Sequence, residues 1–223
     1  GGVGCLGAHL PGEDAFGTHI LKVLEGNGVD ISSVFRTKRA NTGLAFVSLD
    51  ATGNREFSFF RNPSADLFLD EAQIQPEMFA DCAALHFCSV DLVDWPVRAA
   101  HRRAITLARE AGALISFDPN VRLPLWDDPA DCQAAIRAFL PSADLVKLSD
   151  DEVEFVTGCT DERAAAKLLF EGGCKLLLVT RGANGSAVYT PQTEAFTDTL
   201  SVPVTDTTGA GDSFIGSFLY QLT

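Results

Sequence analysis

Short apolar segments alternate with helical segments through the middle of the chain, and this alternation limits the fold more than any other feature of the sequence. The segments predicted as strands are 84–88, 113–117, 144–148 and 175–179, and the helices predicted between them are 96–110, 130–140 and 162–170. Strands that alternate with helices through short loops form a mostly parallel sheet covered on both faces. We therefore predict an α/β fold.

A different periodicity precedes these units. From Thr42 to Arg61, apolar and polar residues alternate on both sides of residues 50–54, a cluster of turn-forming residues that contains a glycine. This pattern predicts a β-hairpin. Because the hairpin interrupts the alternation of strands and helices, we expect it to form a small appendage to the sheet.

The composition of the chain argues against several classes of function. The 223 residues carry a formal net charge of −13, and surfaces for nucleic acid or anionic membranes need clustered Lys and Arg. No segment has the roughly 20 apolar residues of a membrane span. The six cysteines form no C-x-x-C pair, which argues against a zinc ribbon and a disulfide framework. We expect a cytoplasmic protein that binds neither nucleic acid nor membrane.

Ligands of open α/β sheets bind outside the carboxyl ends of the strands. The loops of interest therefore follow Phe117, Leu148, Val179 and Val204. The last loop is the most informative, because a strand predicted at 202–204 leads into a glycine-rich turn and then into an apolar helix.

This turn has the composition of an anion-binding site. Gly209 and Gly211 allow successive backbone N–H groups to point into one hollow, and the dipole of the following helix adds partial positive charge there. Asp212 stands at the helix entrance, where a carboxylate is unsuited to binding an anion. We interpret Asp212 as a general base that removes a proton from an attacking hydroxyl while the hollow stabilises a transferred phosphoryl group.

Other interpretations of the turn stay open. Asp212 could merely cap the helix, with the glycines only turning the chain. Residues 211–213 also match the nucleophile block of GDS-type esterases, in which Ser213 would attack an acyl carbon. Those enzymes need a downstream histidine, and none follows Ser213. His86 and His101 lack partners at metal-ligand spacing and are interpreted as structural.

The segment Asp206–Phe214, which reads D-T-T-G-A-G-D-S-F, resembles the C-terminal signature D-T-x-G-A-G-D-x-F of the ribokinase-like (PfkB) carbohydrate kinases. Three further blocks resemble this family in the same order: G-x-D-x-F-G at 12–17, K-x-[N/S]-x-x-E at 147–152 and T-x-G-x-x-G at 180–185. The resemblance implies a three-layer sandwich with a mostly parallel central sheet and a small β lid. Residues 1–223 would form a single ribokinase-like domain, with 37–66 contributing the lid.

The resemblance also implies roles for individual residues. Asp212 would be the catalytic base, with Gly209, Ala210 and Gly211 as anion-hole donors. The nucleotide, ATP, would be bound by Lys147, Glu152, Thr180, Gly182 and Gly185. Glu152 would hold Mg²⁺ through water, and Asp206 and Thr208 would hold a monovalent cation such as K⁺. Alternatively, Glu152 is only a solvated carboxylate at a helix start, and the two glycines of the nucleotide loop form an ordinary turn.

For the sugar substrate, the segments around Arg61 and at 116–126 look most like bacterial fructokinases. Arg61, Asn120 and Arg122 are the predicted sugar ligands, since a guanidinium donates a planar fork of hydrogen bonds. Arg122 could instead be a surface residue, and Asn120 a turn cap. Fructose is the preferred substrate. Kinases of 2-keto-3-deoxygluconate or aminoimidazole riboside, and a non-catalytic sugar-binding relative, are the alternatives.

Two expectations concern the lid and the chain ends. The lid would close over the sugar and pair two subunits, because Phe57, Phe59 and Phe60 on an exposed hairpin need a partner surface, although they could pack on their own domain. The family's first strand and its G-G-x-P-A-N block are missing from the sequence, and the final apolar stripe ends without a cap at Thr223. We therefore expect the encoded protein to have about 300 residues.

Overall fold

The computed structural model describes residues 5–49, 55–203 and 206–223. The predicted turn at 50–54 and residue Val204 lie outside the described residues. Within them the strands are β1 (Cys5–Leu6), β2 (Val29–Asp30), β3 (Leu44–Leu49), β4 (Arg55–Phe60), β5 (Ala84–Cys88), β6 (Leu114–Asp118), β7 (Leu145–Ser149), β8 (Leu176–Thr180), β9 (Ser186–Tyr189) and β10 (Glu194–Thr197). The α-helices are α1 (Ala15–Gly26), α2 (Pro96–Glu110), α3 (Pro129–Phe139), α4 (Asp150–Thr157), α5 (Glu162–Glu171) and α6 (Ala210–Leu222).

The central sheet has six strands in the order β10-β9-β8-β7-β6-β5. Strands β5 to β8 are parallel, and β9 and β10 extend the sheet as antiparallel strands. A further parallel pair, β1 and β2, forms a separate small sheet beside α1. The mostly parallel sheet predicted from the alternation of strands and helices is confirmed.

Helices cover both faces of the central sheet. Successive side chains of a strand point to opposite faces, and Phe117 and Val146 belong to the large buried cluster that includes side chains of α2 to α5. Leu145 and Leu178, on the other face, pack against Ile215 of α6. The result is a three-layer arrangement in which α6 lies on the face opposite to helices α2 to α5.

The predicted elements agree with the observed ones to within one residue at each end, except near the last loop. Val202 and Pro203 lie outside any strand, so this part of the strand predicted at 202–204 is wrong. Elements β1, β2, α4, β9 and β10 were not predicted from periodicity. β10 is exposed at all four positions, so it lacks the apolar run by which the other strands were recognised.

The predicted hairpin is formed by β3 and β4, which pair in antiparallel register from Leu44 opposite Phe60. Phe46 and Phe60 lie on one face of the hairpin, where they are 56% and 63% exposed and make an edge-to-face contact with ring centres 5.4 Å apart. Phe57 and Phe59 lie on the opposite face, where they are half-buried and stacked at 5.9 Å. The hairpin therefore has an exposed outer aromatic pair and an inner pair.

None of the helices within the described residues is both long and apolar enough to cross a membrane. All six thiols are unpaired. Burial raises the pKa of Cys88 to about 12 and that of Cys132 to about 11, which keeps both in the unreactive thiol form at neutral pH.

Candidate active site

The glycine-rich turn leads directly into α6. Gly209 precedes the helix with φ of 76°, in the left-handed region that favours glycine. The first helical hydrogen bond runs from the Ser213 N–H to the Gly209 carbonyl at 2.8 Å. The N–H of Ala210 already donates to the carbonyl of Thr207 at 3.1 Å. Of the predicted anion-hole residues, Gly211 therefore offers a first-turn N–H without an intrahelical acceptor, and the N–H of Asp212 is equivalent to it.

Asp212 lies in the first turn of α6, and its side chain is exposed. Its charge is felt by His86 on β5: burial lowers the pKa of His86, while the Asp212 carboxylate acts in the opposite direction. The ring Nδ1 of His86 lies 2.9 Å from the hydroxyl of Ser116 on the neighbouring strand. The hydrogen bond to Ser116 supports a structural role for His86, and the ring is close enough to the candidate base for its pKa to respond to that carboxylate.

A buried ion pair lies beneath the same turn. The Lys147 Nζ is 2.9 Å from Oδ2 of Asp118, and the two side chains are only 7% and 3% exposed. A Cβ placed on Gly211 would come within 3.3 Å of this Nζ. Burial raises the pKa of Asp118, and the ammonium of Lys147 partly opposes that effect. Lys147 thus brings a positive charge next to the predicted anion hole.

Both carboxylate oxygens of Glu152 are engaged by the backbone. Oε2 accepts from the N–H of Ser149 at 2.9 Å, which caps α4, and Oε1 accepts from the N–H of Val121 at 2.6 Å. Direct coordination of a metal would compete with these bonds, whereas a metal held through water leaves them intact. Within the described residues there is no group of three or more His, Cys, Asp or Glu side chains that could hold a metal ion.

The loop after β6 carries two predicted sugar ligands. Asn120 has φ of 46°, which is uncommon for a residue other than glycine, and its N–H donates to Oδ1 of Asp118 at 3.2 Å. Arg122 donates to the carbonyl of Val121, and its guanidinium lies 5.9 Å from the ring centre of Phe57. This loop therefore contacts the inner face of the hairpin.

Arg61 is placed differently from the other predicted sugar ligands. Its guanidinium donates to Asp66, to Asp91 and to the carbonyl of Val90, which occupies four of its five N–H groups. Burial raises the pKa of Asp66, but Arg61 together with further hydrogen bonds to the carboxylate keeps that pKa below its usual value. Burial raises the pKa of Asp91 despite the same guanidinium. Arg61 thus joins the end of the hairpin to the loop after β5.

The predicted nucleotide loop is held by interactions that were not predicted. Gly185 has φ of 86° and ψ of −148°, and a Cβ there would lie 2.1 Å from the carbonyl oxygen of Thr197. Arg181 donates twice to Glu162, at 2.8 and 2.5 Å, and Tyr189 donates to the same carboxylate at 2.6 Å. These hydrogen bonds connect the loop to the start of α5.

The remaining predicted residues lie in the same loops. Thr180 ends β8 and directs its hydroxyl to the Leu148 carbonyl at 3.4 Å, and Gly182 has φ of 53°. Oδ1 of Asp206 accepts from both the N–H and the hydroxyl of Thr208 at 2.8 Å. The carboxylate and hydroxyl oxygens of this pair are the donor type that a monovalent cation requires.

The structure brings Asp212, Gly211 and Lys147 together, and it joins Glu152 to the loop of Asn120 and Arg122 through one hydrogen bond. Asp118 and Arg181 are positioning residues that the motifs did not reveal. The sequence contained a signal for Asp118, since an acidic residue that follows a buried strand at the carboxyl edge of a sheet is a candidate for a ligand-binding site. For Arg181 no such signal exists, because its partners come from distant parts of the chain.

This domain, with its three-layer α/β arrangement, its glycine turn at a helix amino terminus and its β hairpin, has the ribokinase-like fold. The chain belongs to the pfkB family of carbohydrate kinases, whose family model matches residues 8–223. Both the fold and the family predicted from the sequence are confirmed.

Named relatives agree with this assignment. Probable fructokinase-2 of Arabidopsis thaliana is 43% identical over 212 residues, which cover 95% of this chain and 64% of the relative. A fructokinase with bound ATP from Xylella fastidiosa has a TM-score of 0.87 at 35% identity, covering 96% of this chain and 66% of that one. A double-mutant fructokinase from Vibrio cholerae O395, with fructose, ADP and potassium ion bound, has a TM-score of 0.89 at 34% identity, covering 97% and 69%. The chain thus spans about two thirds of the length of such relatives.

Proposed function

We propose that the protein containing this chain transfers the γ-phosphoryl group of ATP to a primary hydroxyl of a small sugar, with fructose as the preferred substrate. The observation that carries the proposal is the position of Asp212 in the first turn of α6, directly after Gly209 and Gly211. Membership of the pfkB family and the fructokinase names of the relatives support the choice of reaction and of sugar.

The reaction requires one base and one anion-stabilising site. The Asp212 carboxylate accepts the proton of the sugar hydroxyl as the hydroxyl oxygen forms its bond to the γ-phosphorus. The bond between that phosphorus and the bridging oxygen breaks, and ADP leaves with the electron pair. The N–H groups at the start of α6, together with the helix dipole, stabilise charge on the transferred group. No covalent enzyme intermediate forms.

The proposed cofactors are Mg²⁺ and K⁺. Mg²⁺ bound to ATP neutralises charge on the phosphates. Glu152 would hold it through water, which fits a carboxylate that already accepts two backbone hydrogen bonds. Asp206 and Thr208 would contribute oxygens to a K⁺ site near the turn. The potassium ion in the Vibrio cholerae fructokinase supports this choice of cation.

The remaining predicted residues receive proposed binding roles. Lys147, Thr180, Gly182 and Gly185 would contact the nucleotide. Asn120 and Arg122 would contact the sugar from the loop after β6. Arg61 would support the sugar site, since most of its donors already serve Asp66 and Asp91.

Sugar-dependent release of ADP tests the proposed reaction. The intact protein is incubated with Mg-ATP and a panel of fructose, 2-keto-3-deoxygluconate and aminoimidazole riboside, and ADP is followed by a coupled assay. We expect release with fructose to exceed release with the other sugars and without sugar. Equal release with and without every sugar would reject the kinase. Ester hydrolysis that disappears in Ser213→Ala would favour the esterase.

The outer aromatic pair of the hairpin supports a homodimer formed through the lid. Phe46 and Phe60 are more than half exposed on one face, and paired exposed aromatic side chains favour association. Light scattering of the intact protein should show a dimer that becomes a monomer in the variant Phe46→Ser/Phe60→Ser. A monomer before substitution would reject this arrangement.

We place the protein in the cytoplasm, which supplies ATP and keeps thiols reduced.

A further inference from the structure

Asp118 holds two parts of the candidate site at once. Its Oδ2 pairs with Lys147 beneath the glycine turn, and its Oδ1 accepts the N–H of Asn120 in the predicted sugar loop. We propose that Asp118 is a positioning residue that couples the sugar loop to the anion hole, so that sugar binding tightens nucleotide binding and the reverse. This inference rests on the proposed kinase function.

The link to the anion hole is short and rigid. Asp118 ends β6, and Lys147 lies on the adjacent strand β7. Within the described residues, Asp118 forms an ion pair with this ammonium, so this carboxylate sets the position of Nζ. Because Nζ lies 3.3 Å from the Cβ position of Gly211, a movement of the ammonium alters the charge directly below the turn.

The link to the sugar loop is also tight. The N–H of Asn120 is held by Asp118, and the N–H of the next residue, Val121, is held by Glu152 at 2.6 Å. Asn120 keeps a left-handed backbone between these two anchors. A sugar that bonds to Asn120 or Arg122 therefore acts on a loop whose first anchor is the same carboxylate that holds Lys147.

A purely stabilising role would not require these charges. Both side chains are almost fully buried, and a buried ion pair can often be replaced by apolar residues with no loss of stability. What the pair adds is a defined position for a cation next to a site for phosphate. By linkage, any coupling of sugar to nucleotide through this pair must be reciprocal.

The chain offers a comparable but more exposed link just before β7 and β8, which serves as a control. Oδ1 of Asp144 pairs with Lys175 at 2.7 Å, and its Oδ2 accepts the N–H of Ile115 at 3.0 Å. Asp144 thus joins a lysine and a backbone N–H as Asp118 does, but it precedes β7 and lies far from the glycine turn. Asp144→Asn tests whether any loss is a general effect of cutting such a link.

The experiment measures the Kd of Mg-ADP in the intact protein with and without saturating fructose, by calorimetry. In the unsubstituted protein, fructose should lower this Kd by about five-fold or more. In Asp118→Asn, which keeps the shape of the side chain, the ratio should fall close to one, whereas Asp144→Asn should retain it. If Asp118→Asn fails to fold, Asp118→Asn/Lys147→Met replaces it and avoids a lone buried charge; its ratio should also be close to one.

Several outcomes would overturn the inference. A ratio of one in the unsubstituted protein would remove the coupling itself. A ratio retained in Asp118→Asn or in the double variant would show that the coupling does not pass through this carboxylate, and an equal loss in Asp144→Asn would show a general effect. Failure of the proposed function is distinguishable, because it would appear as a lack of sugar-dependent ADP release from ATP, and the ADP titration needs no turnover.

Discussion

The carboxylate of Glu152, at the start of α4, accepts a hydrogen bond from the backbone N–H of Val121 in the loop after β6, at 2.6 Å. Substitution by Ala should free this N–H without any metal or nucleotide present. We expect amide hydrogen exchange at Val121 to accelerate about tenfold or more in Glu152→Ala, because an exposed unbonded amide loses its protection. Asp151→Ala, at the exposed neighbouring position, is the control. Unchanged exchange in both variants would contradict the role of this bond.

Asp212→Asn tests the base. The amide cannot accept the proton at neutral pH, so kcat should fall by about 10²- to 10⁴-fold. The Kd of Mg-ADP should hardly change, because a base that acts in the transition state affects rate more than binding. Ser213→Ala is the neighbouring control and should remain active. Retention of more than about a tenth of the rate in Asp212→Asn would remove Asp212 as the base.

Gly185→Ala should distort the nucleotide loop. Its backbone lies in a region that L residues rarely adopt, and the new Cβ would collide with the Thr197 carbonyl. We expect a loss of about 1–3 kcal/mol in the free energy of unfolding and a higher Kd for nucleotide. Gly216→Ala, at an exposed position within α6 with open space around it, should instead stabilise by about 0.5–1 kcal/mol. Equal effects of the two substitutions would refute this contrast.

Arg61→Met removes the cation between the buried carboxylate of Asp66 and the half-buried carboxylate of Asp91. Leaving Asp66 and Asp91 without it should lower the free energy of unfolding by about 3–5 kcal/mol at pH 7. The deficit should shrink toward pH 5, because protonation of these carboxyl groups then becomes easier. Arg163→Met, which breaks the exposed pair with Glu194, should cost less than about 1 kcal/mol. Urea unfolding at both pH values measures the two variants.

Glu162→Gln tests the hydrogen bonds between Glu162 and Arg181, because their contribution to the free energy of unfolding depends on pH. The hydrogen bonds from Arg181, followed by that from Tyr189, hold the pKa of Glu162 below its usual value of 4.5. The carboxylate therefore contributes stability that is complete above pH 4.5 and is lost as pH falls through the lowered pKa. The difference in unfolding free energy between the unsubstituted protein and Glu162→Gln should thus be largest near pH 7 and smallest near pH 3. Glu171→Gln, on an exposed part of α5, should show no such trend.

Local patterns were sufficient to predict the parallel strands and the crossover helices, because a buried strand such as β8 consists almost entirely of apolar residues. They were insufficient for β10, whose side chains are all exposed, and for α4, which has only eight residues. The glycine turn was predictable because its proposed role depends on backbone N–H groups, and glycines in the sequence indicate directly where the backbone can take the required conformation. The partners of Glu152, Arg61 and Arg181 were not, because each of these side chains bonds to residues far away in the sequence.

The order of strands in the central sheet has a consequence for how the chain folds. From β5 to β10, every strand lies beside the strand that precedes it in the sequence. Each new unit can therefore dock on an edge that already exists, and no pairing within this sheet has to close more than one crossover connection. During synthesis, which proceeds from the amino terminus, the sheet can grow one strand at a time as each segment leaves the ribosome. The glycine turn and α6 come after all six strands, so the segment that carries the proposed base Asp212 can dock on a sheet whose strands have already formed.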